Sequence, residues 1–189
     1  GYSETATITV SPASVGGSIA GGGVTVCATS NSTVLNLSGY TGSITKWQSS
    51  TVSDFSSNVT DINITTTSYT ATNLNTTTYY RAVVISGPCT TYSTVATVTV
   101  NTASVGGTVS GGKAVCTGTN STTLSLAGNT GTIQWQSSTT SATAGFTNIS
   151  LATNASYTAS NLTAKTYYRV AVTNGVCAVA NSSVDSVVV

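Results

Sequence analysis

The amino-acid sequence predicts an all-β chain built as two antiparallel β-sandwiches in tandem. Three observations lead there. The first is an internal repeat. Ser14-Val15-Gly16-Gly17 returns 90 residues later as Ser104-Val105-Gly106-Gly107. Trp47-Gln48-Ser49-Ser50 and Tyr79-Tyr80-Arg81 return 88 residues later, as Trp135-Gln136-Ser137-Ser138 and Tyr167-Tyr168-Arg169. A period this long marks two copies of a whole domain, not a solenoid. The second observation is a series of short alternating apolar runs divided by Gly, Ser and Asn clusters. No amphipathic helical period occurs, and Pro12 and Pro88 lie in turn-like contexts. The third is composition: Thr, Val and Tyr suit a pleated, half-buried surface.

The repeat sets the expected boundaries. Residues 15–100 form the first domain, 101–104 a short linker and 105–189 the second domain. Each copy is large enough to hold its own core. The drift of the period from 90 to 88 requires two single-residue deletions, one before Cys116 and one before Trp135. Residues 2–10 match residues 92–100, which close the first domain. Residues 1–14 are therefore expected to be the closing strand of a preceding copy plus its linker, and the chain an excerpt of a longer array. The linker Asn101-Thr102-Ala103-Ser104 lacks a flexible Gly/Ser tract, so an elongated, semi-rigid rod is expected.

Within each copy the strands follow in order. Leu35 and Leu37 share one face of the first clear strand, as do Leu124 and Leu126. A strand with a single Trp comes next, Ile44 to Ser49 and Thr132 to Ser137. Tyr69-Thr70-Ala71 and Tyr157-Thr158-Ala159 follow. Leu74 then precedes Tyr80 by six residues, with Ala82 and Val84 at period two; Leu162, Tyr168, Val170 and Val172 repeat this. That spacing resembles a tyrosine corner, in which the hydroxyl ties back to upstream backbone. Arg81 and Arg169 alternate with these positions and are expected to face outward. Val98 and Val100, or Val187 and Val189, close each copy.

The chain has four cysteines, two per copy. Four cysteines allow three connectivities. The one that treats both copies alike within each domain is Cys27–Cys89 and Cys116–Cys177, each worth roughly 4 kcal/mol by loop closure. Such bridges imply an oxidising, extracellular or cell-surface location. Zinc is disfavoured, because there is no CxxC pair and no His.

Together these pieces resemble a known family. Cys116-Thr117-Gly118, Leu124-Ser125-Leu126, Trp135, Tyr168-Arg169-Val170-Ala171-Val172, Gly175-Val176-Cys177 and Val187-Val188-Val189 resemble the immunoglobulin-like modules of large Bacteroidetes surface and secreted proteins. The resemblance covers both copies, the first having Ala82 where the second has Val170. The resemblance implies tandem immunoglobulin/fibronectin-III-like sandwiches, as in gliding-motility adhesins of the SprB type or beside secreted hydrolases. One departure concerns the second cysteine. Cys89 follows Tyr80 by nine residues, whereas an antibody domain places it two residues after the corner Tyr. The expected bridge would thus pin the opening segment to the last hairpin.

Little chemistry is available. Charged residues are 5% of the chain, against about a quarter in typical proteins, and the net charge is +1 with no His. That balance argues against nucleic acid and anionic membranes as partners. Asp54 and Asp61 are seven apart in a loop that has no acid in the second copy, which fits a solvated loop better than an acid/base pair. No calcium-type cluster of carboxylates is present. Trp47 and Trp135 read as core residues rather than sugar platforms. Tyr79 with Arg81, and Tyr167 with Arg169, make candidate surface contact patches, being residue types enriched at hot spots.

No catalytic residue, cofactor or metal is expected. The expected function is a non-catalytic structural repeat of a large bacterial surface adhesin, a semi-rigid spacer with an adhesive or gliding role. The alternative is a carbohydrate-binding or accessory module of a secreted polysaccharide-degrading enzyme. Expected partners are neighbouring repeats and surface polysaccharide or other cell-surface components, with no membrane insertion and a monomeric state.

Overall fold

A computed structural model of the chain describes residues 4–189. The chain divides into two units, Gly1–Val100 and Asn101–Val189. The described residues hold strands, turns and coil but no helix. The first domain contains β1 (Ser18–Ala20), β2 (Val24–Cys27), β3 (Ser32–Ser38), β4 (Ser43–Ser50), β5 (Thr60–Ile62), β6 (Ser68–Thr72), β7 (Thr78–Ser86), β8 (Cys89–Tyr92) and β9 (Ala96–Asn101). One sheet has the order β1-β3-β6; the other runs β2-β9-β7-β4-β5, with β8 also paired to β7.

The second domain contains β10 (Thr108–Ser110), β11 (Ser121–Ala127), β12 (Thr132–Ser138), β13 (Thr147–Asn148), β14 (Ser156–Ser160), β15 (Thr166–Thr173), β16 (Ala180–Asn181) and β17 (Asp185–Val187). Its sheets are β10-β11-β14 and β13-β12-β15-β16, with β17 paired to β15.

The two sheets of each domain bury the alternate residues that face each other, as expected of a sandwich. In the first, Leu35, Leu37, Trp47, Ala71, Tyr80, Ala82, Val84 and Val98 form one cluster. In the second, Leu124, Leu126, Trp135, Ala159, Tyr168, Val170, Val172 and Val187 do the same. Trp47 and Trp135 are fully buried. Each indole N–H is satisfied by a carbonyl, Thr66 at 3.0 Å and Asn154 at 2.8 Å. Three rings line up through each core: Trp47–Tyr69–Tyr80 with centroids 5.9 and 5.5 Å apart, and Trp135–Tyr157–Tyr168 with 5.8 Å at both steps. Such tilted pairs contribute beyond simple burial.

The tyrosine corner takes a different form from the one expected. The Tyr80 hydroxyl meets the Thr78 side chain, and that of Tyr168 meets Thr166. The upstream backbone is held by an asparagine instead. Asn31 donates to the Leu74 carbonyl at 2.8 Å and accepts the Leu74 N–H at 2.9 Å. Asn120 makes the same pair with Leu162, both at 2.8 Å.

Two features of the repeat have local causes. The residue missing before Trp135 is a β-bulge in the first domain. The β4–β7 register shifts between Ile44 and Lys46, and the intervening Thr45 hydroxyl donates to the Val83 carbonyl. The β12–β15 register runs on without a shift. The repeated Val-Gly-Gly is set by close backbone approach. A Cβ at Gly16 would lie 1.8 Å from the Tyr92 carbonyl oxygen, and one at Gly106 would lie 2.0 Å from that of Asn181. Only a residue without Cβ fits there.

Residues 4–14 form no strand, and Ile8 and Val10 are exposed. Residues 2 and 3 of the segment matched to residues 92–100 lie outside the described residues.

The expected disulfide pairing is corrected by the structure. Cys89 and Cys116 are exposed free thiols, so neither Cys27–Cys89 nor Cys116–Cys177 is formed. Geometry explains why. Asn31 bonds both the Cys27 and Leu74 carbonyls, placing Cys27 beside the start of β7. Cys89 pairs with Ser86 at the other end of that strand. A nine-residue strand spans about 27 Å, far beyond the roughly 7 Å Cα separation that a disulfide tolerates. In the second domain Asn120 bonds the Cys116 and Leu162 carbonyls near the start of β15. Cys177 lies in the turn after β15, its N–H bonded to Asn174.

Candidate functional site

The outer face of the larger sheet carries the most elaborate side-chain arrangement in each domain. Arg81 on β7 does point outward, but it is clamped rather than free. Its Nε donates to Gln48 Oε1 at 2.8 Å across the β4–β7 pair. Its guanidinium carbon lies 4.1 Å from the Phe55 ring centroid and 3.8 Å from that of Tyr92. Gln48 in turn donates to Asp61 Oδ1 at 2.8 Å, and Asp61 pairs with Lys46. The Lys46 and Gln48 contacts hold the Asp61 carboxyl below its ordinary range.

The second domain builds the same clamp from different parts. Arg169 Nε donates to Gln136 Oε1 at 2.7 Å, and its guanidinium carbon lies 4.2 Å from the Phe146 centroid. Gln136 donates to Asn148 Oδ1 at 2.9 Å. The β4–β5 and β12–β13 loops differ in sequence, yet each delivers one Phe to the arginine. Phe55 does so from a positive φ of 57°, a conformation that costs a bulky residue energy and persists only where surroundings impose it. Lys165 lies 4.9 Å from the Tyr167 centroid.

These contacts explain the Trp-Gln-Ser-Ser repeat. Trp47 fills the core, Gln48 holds the arginine, and Ser50 anchors the loop by donating to the Ser57 carbonyl and accepting the Val52 N–H. Ser138 does the same with the Ala144 carbonyl and the Thr140 N–H.

The sequence-predicted residues therefore have these positions. Tyr79 and Arg81, like Tyr167 and Arg169, lie on one outer face, all half-buried. Phe55, Phe146, Gln48 and Gln136 belong to that face and were missed; the repeated Gln beside Trp was the available signal. Asp54 and Asp61 do not form a pair. Asp54 accepts the Ser56 N–H within its own turn, while Asp61 serves the clamp. Burial pushes the Tyr80 and Tyr168 hydroxyls up to about 12. Among the described residues no three metal-ligating side chains come together.

A family model described as "Domain of unknown function (DUF8696)" matches residues 15–102 and again residues 105–189. The chain belongs to this family. It carries two DUF8696 domains in tandem, each with the clamp just described. No curated protein matches the sequence.

Among solved structures, this chain is similar to a chain from "Crystal structure of mouse coronavirus receptor-binding domain complexed with its murine receptor". That match has TM-score 0.56 and 10% identity, over 86% of this chain and 94% of the other. The chicken CNTN1 FN1–FN3 domains match at TM-score 0.41 and 12% identity, over 93% and 66%. The fibronectin(III)-like modules of Clostridium thermocellum CbhA match at TM-score 0.35 and 13% identity, over 94% and 90%. At 10% identity the first of these matches is a likeness of fold alone.

Proposed function

We propose that this chain is a non-catalytic structural repeat of a large extracellular bacterial protein, a spacer in a surface adhesin. The observation that carries this reading is what repetition keeps. The Trp, the aromatic stack, the Asn clamp and the Gln–Arg clamp occur in both domains, and all serve the scaffold. Acidic residues, which chemistry would need, are not kept: Asp61 is replaced by Asn148 across the equivalent strand pair. The resemblance to Bacteroidetes surface modules supports display at the cell surface and a role in adhesion or gliding. No helix among the described residues is long and apolar enough to cross a membrane.

Single-molecule pulling under reducing conditions tests the spacer reading. Two separate unfolding events are expected, each releasing about 30 nm of contour for some 85–88 residues at ~3.6 Å each. Unfolding without such force-resisting steps overturns the reading.

The second reading, a carbohydrate-binding module, is favoured by the outer face of Tyr79, Arg81 and Tyr92, where Tyr92 is half exposed. A glycan array decides between them. A spacer retains no glycan; retention that disappears in a Tyr79→Ala/Tyr167→Ala chain establishes the binding module instead.

A further inference from the structure

We propose that Cys116 of one copy of this chain forms a disulfide with Cys89 of a second copy, joining copies head to tail. The proposal rests on the structural-repeat reading and gives it a covalent form. Both thiols are free and exposed, and their positions within their own domains are opposite.

Cys89 lies at the opening pole of the first domain. Its turn includes Gly87, which packs against Ser11 on the segment leading into the domain. The equivalent turn in the second domain is held the same way, with Asn174 bonded to Ser104 and Thr102. Cys116 lies at the closing pole of the second domain, two residues beyond the Ala114–Val188 bridge to the closing strand. A bond from Cys116 of one copy to Cys89 of the next joins a closing pole to an opening pole, and each added copy again leaves one thiol of each kind free. Linking Cys89 to Cys89, or Cys116 to Cys116, would require a two-fold arrangement that brings like poles together.

The repeat supplies an independent observation. Cys177 occupies in the second domain the position that Cys89 occupies in the first, and Cys27 is the counterpart of Cys116. Cys27 and Cys177 are both disulfide-bonded. Each of the two positions therefore takes part in a disulfide in one copy of the domain and carries a free thiol in the other. A partner for either free thiol within its own domain is excluded by the strand length that separates the poles.

The reaction is thiol–disulfide exchange with a low-molecular-weight disulfide, such as oxidised glutathione, as oxidant. The Cys116 thiolate attacks that disulfide and releases one small thiol. The Cys89 thiolate of the second copy then attacks the Cys116 sulfur and releases the other. One protein S–S bond forms, one oxidant S–S bond breaks, and the two protein protons end on the two released thiols.

The test is oxidation of the concentrated two-domain chain in a glutathione buffer, read on a non-reducing gel and by peptide mapping. The expected result is a ladder of covalent oligomers with Cys89 linked to Cys116. Cys89→Ser and Cys116→Ser, both at exposed positions, should each abolish the ladder while thermal unfolding is unchanged. A wild-type chain that stays monomeric overturns the proposal. So do covalent dimers that persist in either single variant, since these would be like-to-like links. Because the readout is a bond, its failure leaves the spacer reading to be judged by pulling.

Discussion

Asn31 grips Leu74 from both sides of its peptide unit, donating to the carbonyl at 2.8 Å and accepting the N–H at 2.9 Å. Its second amide proton goes to the Cys27 carbonyl at 2.7 Å. One side chain thus fastens the segment after β2 to the segment before β7. Asn31→Ala takes this partner from the part-buried Leu74 N–H and Cys27 carbonyl, while the Leu74 carbonyl keeps the Thr29 N–H, and is expected to cost the first domain about 1–3 kcal/mol. Asn31→Asp is expected to be at least as damaging at neutral pH, since a carboxylate cannot donate and faces two carbonyls. Amide hydrogen exchange of peptides covering 68–86, against those of the second domain, checks both. Unchanged protection in Asn31→Ala would contradict the argument.

Gly16 offers a second test. Its missing Cβ is the room taken by the Tyr92 carbonyl at 1.8 Å. Gly16→Ala forces the opening segment away from the last hairpin and is expected to cost about 1–3 kcal/mol, as overpacking does. Gly39, with nothing near its Cβ position, is the control for close approach. Its positive φ of 68° makes Gly39→Ala a matter of backbone conformation alone, about 1 kcal/mol. Urea midpoints of the two variants rank the two effects.

The sandwich class was legible because period-two burial is written directly into Leu-x-Leu, Trp and Tyr-x-Val-x-Val. The repeat also marked the positions of the arginine face. The contacts of that face were not legible, because Phe55 and Phe146 arrive on loops of unrelated sequence, and no pattern there announces a Phe against an Arg. The cysteine pairing failed for a geometric reason. Repetition says that equivalent cysteines behave alike, but says nothing of whether a pair lies across one domain. Only the course of β7 and β15, which separates the poles, decides that. The Asn31 and Asn120 clamps were hidden by an excess of Asn, Ser and Thr, in which one recurrent Asn does not stand out.

Alkaline pH should weaken both domains. Burial raises the Tyr80 and Tyr168 hydroxyls to about 12, above the ordinary value near 10. Between these values the unfolded chain has released protons that the native chain still binds. Stability therefore falls as pH rises through that window. Urea unfolding across about pH 9 to 12 should show midpoints falling in both domains. Tyr80→Phe, which removes one titrating group, should flatten the decline in the first domain only.

The two arginine clamps should differ in strength. Arg81 lies between two rings, Phe55 and Tyr92, whereas the register position of Tyr92 is held by Asn181 in the second domain. Arg81→Lys gives up the planar stack and the Nε bond to Gln48 and is expected to cost about 1–2 kcal/mol. Arg169→Lys is expected to cost less, and Tyr92→Asn should bring the first domain down to the second. Equal losses for the two Arg→Lys variants in domain-resolved hydrogen exchange would refute the role of the second ring.

Acid separates the domains through one residue. Lys46 and then Gln48 hold the Asp61 carboxyl below its ordinary value, while Asn148 occupies the same cross-strand place and cannot titrate. A carboxyl that is depressed in the folded state contributes stability that is full above its unfolded pKa, near 3.9, and lost as pH falls through the folded value. Asp61 is half exposed, so the effect is small and weakened further by salt. The first domain should therefore lose protection below about pH 4 by this route, and Asp61→Asn should reduce that loss while leaving the second domain unchanged. An acid response of the first domain identical in wild type and Asp61→Asn would show that the Lys46–Asp61–Gln48 cluster adds nothing to stability.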